Sequence, residues 1–95
     1  MFEVSIDGNE TIRLIGRLTA AEVDTATEVF NGISQSCTVD CSELGYISSA
    51  GLGLLFATQR RLIDAGHSGL RLTNLNPHIR EVFRIAGFDR IFEIV

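Results

Sequence analysis

The sequence predicts an α/β layer protein, and three observations carry that expectation. The chain opens on alternating apolar and polar residues, it goes on to three segments of helical spacing, and short β-prone runs separate those segments. Strands joined by helical crossovers run largely parallel, so the later part of the sheet is expected to be parallel. Ninety-five residues leave room for one core and not for two. Residues 1–95 are therefore read as a single domain.

Each element has its own local cause. Phe2, Val4 and Ile6 alternate with Glu3, Ser5 and Asp7, the period of a half-buried strand. Asp7-Gly8-Asn9-Glu10 is turn chemistry, with Gly8 and Asn9 tolerant of positive φ. Ile12, Leu14 and Leu18 resume the alternation, which predicts an N-terminal β-hairpin. Thr19-Ala20-Ala21-Glu22 matches a capping box, in which the Thr hydroxyl accepts from the Glu22 N–H. Val23, Ala26, Val29, Phe30 and Ile33 follow at helical spacing, and Asn31-Gly32 ends that helix. Cys37-Thr38-Val39-Asp40-Cys41 reads as an interior strand, and Ser42 to Ile47 as a loop or short helical turn. From Ser48-Ser49 to about Ala65 runs the longest helical pattern, with Leu52, Leu55, Phe56, Leu62 and Ile63 as its buried stripe. Gly66 closes it. Leu70 and Leu72 mark the next strand. Asn76-Pro77 is an N-cap followed by proline at the first helical position. Ile79, Val82, Phe83 and Ala86 form the buried face, Gly87 stops the helix, and Phe88 folds back on Phe83. Ile91 to Val95 is a short last strand.

Composition excludes several classes of function. With 45% hydrophobic and 21% charged residues, the chain has the balance of a globular protein. Its net charge is −4, which argues against a nucleic-acid backbone or an anionic membrane as the main partner. All eight basic residues are arginine, so a lysine-bearing phosphate loop is impossible. The N-terminus lacks the features of a signal peptide, and no apolar run approaches a membrane span. Cys37 and Cys41 have no second pair, and His67 and His78 stand alone, so the thiols read as reduced and structural and no metal is expected. Gly51-Leu52-Gly53 lacks the third glycine of a dinucleotide loop. Ser49 lacks the preceding glycine of a hydrolase elbow, since Ile47 stands there. No cofactor and no enzymatic activity are expected.

What remains is the junction Tyr46-Ile47-Ser48-Ser49-Ala50-Gly51-Leu52-Gly53. Two hydroxyls stand where a strand meets a helix N-terminus, where unpaired N–H groups and the helix dipole favour an anion. A phosphate on Ser49 would add about −1.5 to −2 charge there without melting the helix. Either serine could equally serve as a plain N-cap. Gly51 and Gly53 each weaken the helix, and either close packing or the approach of another protein could require them. Leu54, in line with Thr58 and Arg61, lies opposite the expected buried stripe and is a candidate contact anchor.

Asp40-x-Ser42, the Tyr46–Gly53 segment, the Asn76-Pro77 helix and Phe88-Asp89-Arg90-Ile91-Phe92 together resemble the STAS domain family, in particular the bacterial anti-sigma factor antagonists. The resemblance covers essentially the whole chain. It implies the STAS fold: a hairpin, then alternating β/α units, making a mixed sheet of about five strands packed with three to four helices. It further implies that an anti-sigma factor, a serine kinase of histidine-kinase-like fold, phosphorylates Ser49, and that the unphosphorylated chain binds that kinase and frees the sigma factor. A PP2C-type phosphatase would be the reversing partner. By the same resemblance Ser48, Gly51, Gly53, Leu54 and Thr58 would meet the partner, and Asp40, Ser42 and Thr19 would shape the surrounding loops. Ser48 stands where the family segment most often has Asp, Ala50 replaces a second hydroxyl, and Gly16-Arg17-Leu18-Thr19 stands where many members have Gly-Glu-Leu-Asp. Standalone STAS proteins that resemble this one also serve as scaffold subunits of lipid-transport ABC complexes, or as ligand and nucleotide sensors. A cytoplasmic location is expected, without membrane insertion, and monomer or weak dimer stays open.

Overall fold

The computed structural model describes residues 1–7 and 10–95. The elements run β1 (Phe2–Ile6), β2 (Thr11–Leu18), a 3₁₀ turn (Ala20–Glu22), α1 (Val23–Asn31), β3 (Cys37–Ile47), α2 (Ser49–Asp64), β4 (Leu70–Thr73), α3 (Pro77–Ile85), a second 3₁₀ turn (Phe88–Arg90) and β5 (Glu93–Ile94). The sheet follows chain order, β1-β2-β3-β4-β5. Only β1 and β2 are antiparallel; β2 to β5 run parallel, as crossover connections require. The mixed five-stranded sheet with three helices matches the expected fold class. Asp7 and Thr11 close the hairpin through Asp7 N–H to Thr11 C=O at 3.0 Å. The expected turn residues Gly8 and Asn9 lie outside the described residues.

The two faces of the sheet differ in chemistry. Ile12, Val39, Leu72 and Ile94 stand in register across four strands and face the core. Ala26 and Phe30 of α1, Leu55 and Leu62 of α2, and Ile79 and Phe83 of α3 bury against that face. The other face carries the next register row, Arg13, Asp40 and Thr73, beside Arg71 and Glu93. Parallel sheets are usually apolar on both faces. Here ion pairs, Arg13 with Asp40 at 3.5 Å and Arg71 with Glu93 at 3.3 Å, make the second face compatible with water.

Two expected features fail for identifiable reasons. Residues Ser42 to Ile47 are not a loop but the second half of β3, paired with Ile15 to Leu18. Register shifts between Arg13 and Ile15, and again between Gly16 and Arg17, break the period of two, so the buried Leu44 and Ile47 do not alternate in the sequence. Gly16 is the residue that permits the irregularity: its φ is +96°, and a Cβ there would stand 2.2 Å from the Met1 carbonyl oxygen. The Thr19 capping box is also absent. The Glu22 N–H bonds to the Thr19 backbone carbonyl at 3.0 Å, closing the 3₁₀ turn, so the donor meant for the hydroxyl is already used.

The C-terminal third follows its local signals, except that Ala86, expected on the buried face of the third helix, is exposed. The Asn76 side chain accepts from the Ile79 N–H at 2.9 Å, and Pro77 occupies the first helical position. Gly87, at φ 76°, turns the chain out of α3, and Phe88 meets Phe83 edge-on at 6.3 Å. Among the described residues no helix is long and apolar enough to cross a membrane.

Candidate functional site

The junction between β3 and α2 separates the roles of its two serines. Ser48 is extended, at φ −83° and ψ 168°, and its Oγ accepts from the Gly51 N–H at 3.1 Å. It is half-buried and serves as the N-cap. Ser49, the first residue of α2, is exposed, and its hydroxyl bonds to no described residue. Ser48 N–H donates to the Leu18 carbonyl at 2.9 Å, which pins the junction to the end of β2. The N–H groups of Ser49 and Ala50 lie in the first turn, where an α-helix supplies no acceptor. An exposed hydroxyl thus stands at the positive end of a sixteen-residue helix. Ser48→Ala should lower stability by about 1 kcal/mol through loss of the cap; chemical denaturation measures it directly.

The two glycines differ as sharply. A Cβ on Gly51 would stand 2.9 Å from Ile47 Cγ1 and 3.0 Å from Leu18 Cδ2. Gly51 is buried, and it lets α2 press onto β2 and β3. Its close packing on Ile47 and Leu18 accounts for the glycine within the fold itself. A Cβ on Gly53 would meet nothing within 4 Å, and Gly53 is exposed. No packing in the fold calls for glycine there.

The orientation of α2 corrects the rest of the expected surface. Its buried residues are Gly51, Leu55, Thr58, Gln59 and Leu62. Thr58, expected at the partner surface, is 3% exposed and its hydroxyl donates to the Leu54 carbonyl at 2.9 Å. Leu54 is half-buried against the core on the side of Arg61. Arg61 caps α1, its guanidinium donating to the carbonyls of Ile33 at 2.7 Å and Phe30 at 2.8 Å. The expected core residue Ile63 is instead 48% exposed, beside Phe56 and an Ile91 that is 37% exposed. At 100° per residue, Gly53 and Arg60 lie within roughly 40° of Ser49 on one side, and Phe56 and Ile63 within roughly 40° on the other.

Gln59 explains the rotation and was not foreseen. Its Oε1 accepts from the Leu70 N–H at 2.7 Å and its Nε2 donates to the Ile91 carbonyl at 2.9 Å. A buried polar side chain with two tertiary partners looks like a surface residue in the sequence. Gly69 leaves room for it: a Cβ there would come within 2.5 Å of Gln59 Oε1.

Asp40 and Ser42 do not reach the serines. Asp40 accepts from the Ser42 N–H at 3.0 Å and from Asn74 Nδ2 at 3.2 Å, and faces Arg13. Burial alone would raise its pKa, but the Ser42 and Asn74 hydrogen bonds and Arg13 together outweigh it and hold the carboxyl below its ordinary value. A lowered folded pKa contributes stability that is present above the unfolded value and lost as pH falls through the folded one. The stability gap between wild type and Asp40→Asn should therefore be small, roughly 0.2–1 kcal/mol at neutral pH, because solvent screens the half-exposed Arg13. It should close as pH drops below about 3.8; urea unfolding across pH 2 to 7 reads the trend. Burial pushes the Cys37 thiol up to about 11, with Glu10 adding to it, and the Cys41 thiol up to about 12, with Asp40 adding to it. Both stay protonated near neutral pH. Among the described residues no group of three or more His, Cys, Asp or Glu is placed to hold a metal.

The family model described as "Mlab, STAS domain" matches residues 2–95. This chain belongs to the STAS domain family. A relative, BtrV of Bordetella bronchiseptica, is named as an anti-sigma factor antagonist and is 43% identical over 75 residues, covering 77% of this chain. The match spans 61% of the length of BtrV. Among solved structures, an anti-sigma factor antagonist from Mycobacterium paratuberculosis superposes with a TM-score of 0.82 at 17% identity, over 99% of this chain and 83% of that one. The anti-sigma factor antagonist SpoIIAA, solved in its unphosphorylated form, gives 0.73 at 22% identity, over 100% and 88% of the two chains. At these identities the structures establish the STAS fold, and the site has to be argued from its own residues.

Proposed function

We propose that this STAS domain is an anti-sigma factor antagonist whose binding to an anti-sigma kinase is switched off by phosphorylation of Ser49. The observation that carries the reading is the exposed, unbonded Ser49 hydroxyl at the start of α2, next to a Ser48 whose hydroxyl is already used as the cap. The kinase would bring ATP and Mg²⁺. Ser49 Oγ attacks the γ-phosphorus, the bond to the ADP oxygen breaks, and the serine proton passes to a base on the kinase. This chain supplies a hydroxyl and a surface, and performs no catalysis itself. A PP2C-type phosphatase would restore the hydroxyl by hydrolysis.

The fold tolerates the modification while the interface does not. The first-turn N–H groups and the helix dipole favour an anion on Ser49 by roughly 0.3–1 kcal/mol. Charge of about −1.5 to −2 inside a protein contact costs far more unless it is paired. Gly53 and Arg60 on the same face, with the Phe56, Ile63 and Ile91 flank beside them, extend the surface that the kinase would cover.

A second reading of the same surface is a scaffold subunit that grips the ATPase of a lipid-transport complex. One observation keeps it: the matching family model is described by Mlab and the STAS domain, not as an antagonist. Calorimetric titration against the purified anti-sigma kinases and transporter ATPases of the source genome separates the two. Binding to a kinase supports the switch; binding to an ATPase alone supports the scaffold.

A further inference from the structure

Arg17 is a charge held in place without being neutralised. Its guanidinium carbon stands 4.5 Å from the centroid of the Tyr46 ring, its register partner on β3. Arg13, Arg71 and Arg84 each face a carboxylate, whereas Arg17 has none within ion-pair distance among the described residues. It is exposed. Stacking on an aromatic face restricts the guanidinium while leaving its N–H donors open at the edge.

The position of Arg17 ties it to Ser49. The Leu18 carbonyl accepts the Ser48 N–H at 2.9 Å, and Arg17 and Ser49 flank that bond, one residue to either side. Their Cα atoms are therefore at most roughly 14 Å apart. A specific interface covers about 800 Å² of each protein, a disc of roughly 16 Å radius. Arg17 lies within that radius of Ser49 but on the polar face of the sheet, so a partner that centres on Ser49 and wraps the end of β2 covers it too. Covering a cation strips its water, and this chain offers it no counter-charge, so the partner has to supply one. A carboxylate matches the guanidinium fork in both charge and geometry.

We propose that Arg17, pre-positioned on Tyr46, is a specificity contact that selects a partner presenting a carboxylate beside the Ser49 contact. The inference rests on the partner-switch reading above and names the chemistry of the surface that the kinase must offer.

The test uses the anti-sigma kinase that binds the wild-type domain, titrated by calorimetry at low and moderate salt. Arg17→Glu should weaken binding by about thirtyfold or more and Arg17→Ala by about tenfold, and Arg17→Lys should recover part of the loss. An Asp/Glu→Lys scan of the kinase surface should contain one variant that restores binding of Arg17→Glu. Thermal melts of each variant verify that it is folded. Unchanged affinity of a folded Arg17→Glu, with Ser49→Asp still disruptive, overturns the inference and leaves the switch standing. Equal binding by Ser49→Asp and Ser49→Ala, with Arg17→Glu still weak, overturns the switch and supports the charge contact.

Discussion

Ser49→Asp is expected to weaken binding to the anti-sigma kinase by about 30- to 5,000-fold, while Ser49→Ala binds at wild-type affinity or tighter, because an unpaired charge buried in a contact costs about 2–5 kcal/mol. The asymmetry follows from the junction. Ser49 is exposed and makes no bond within the domain, so alanine removes nothing that the fold uses. Aspartate places a carboxylate beside first-turn N–H groups, where the helix accepts it. Both variants should thus melt at or slightly above the wild-type temperature, and the difference between them should appear only when the partner is present. Paired calorimetry and thermal melts check both halves. A large drop in melting temperature for Ser49→Asp would mean that lost binding reports unfolding and not a switch.

The second large effect concerns the glycines. Gly51→Ala should destabilise the domain by about 1–3 kcal/mol, because a methyl group there overlaps Ile47 and Leu18 in the core. For a domain of this size each kcal/mol moves the melting temperature by about 4–8 °C. Gly53→Ala should do the reverse and stabilise by up to about 1 kcal/mol, since alanine is the better helix former and open space surrounds the position. If glycine at 53 serves the approach of the kinase, the same variant will bind more weakly while melting later. Two neighbouring glycines of identical appearance in the sequence would then divide between fold and interface. Differential scanning calorimetry of both variants decides the first half, and titration of Gly53→Ala decides the second.

What could be read from the sequence was what local chemistry writes. The hairpin, the Asn76-Pro77 start of α3, its Gly87 stop and the return of Phe88 onto Phe83 each depend on residues a few positions apart, and each stands in the structure. The features that depart from the local pattern depend on distant partners. The second half of β3 was hidden because its bulges are set against β2. The rotation of α2 departs from its apolar pattern because Thr58 and Gln59 are buried polar residues, and Gln59 is satisfied by Leu70 and Ile91. A helical wheel counts such residues as surface and turns the helix the wrong way. Hence Leu54 and Thr58 were expected to face outwards, whereas Ile63 and Ile91 are among the apolar side chains left exposed.

The candidate site shows the same division. The position of a serine pair at a strand-to-helix junction is a sequence-level fact, and so is the anion-friendly helix end. Which serine caps and which is free depends on the extended backbone at Ser48 and the reach of its Oγ to Gly51 N–H. The exposed charge near the end of β2 depends on cross-strand register, which places Arg17 over Tyr46.

The central claim, that Ser49 is the acceptor of a regulatory phosphate, is tested most directly by mapping the modification. The domain is incubated with the anti-sigma kinase it is proposed to bind and Mg²⁺-ATP, and its intact mass and fragment spectra are recorded. The account predicts a single added phosphate, located on Ser49 and absent from the Ser49→Ala variant. Phosphate on Ser48, or none on a domain that binds the kinase tightly, would contradict it.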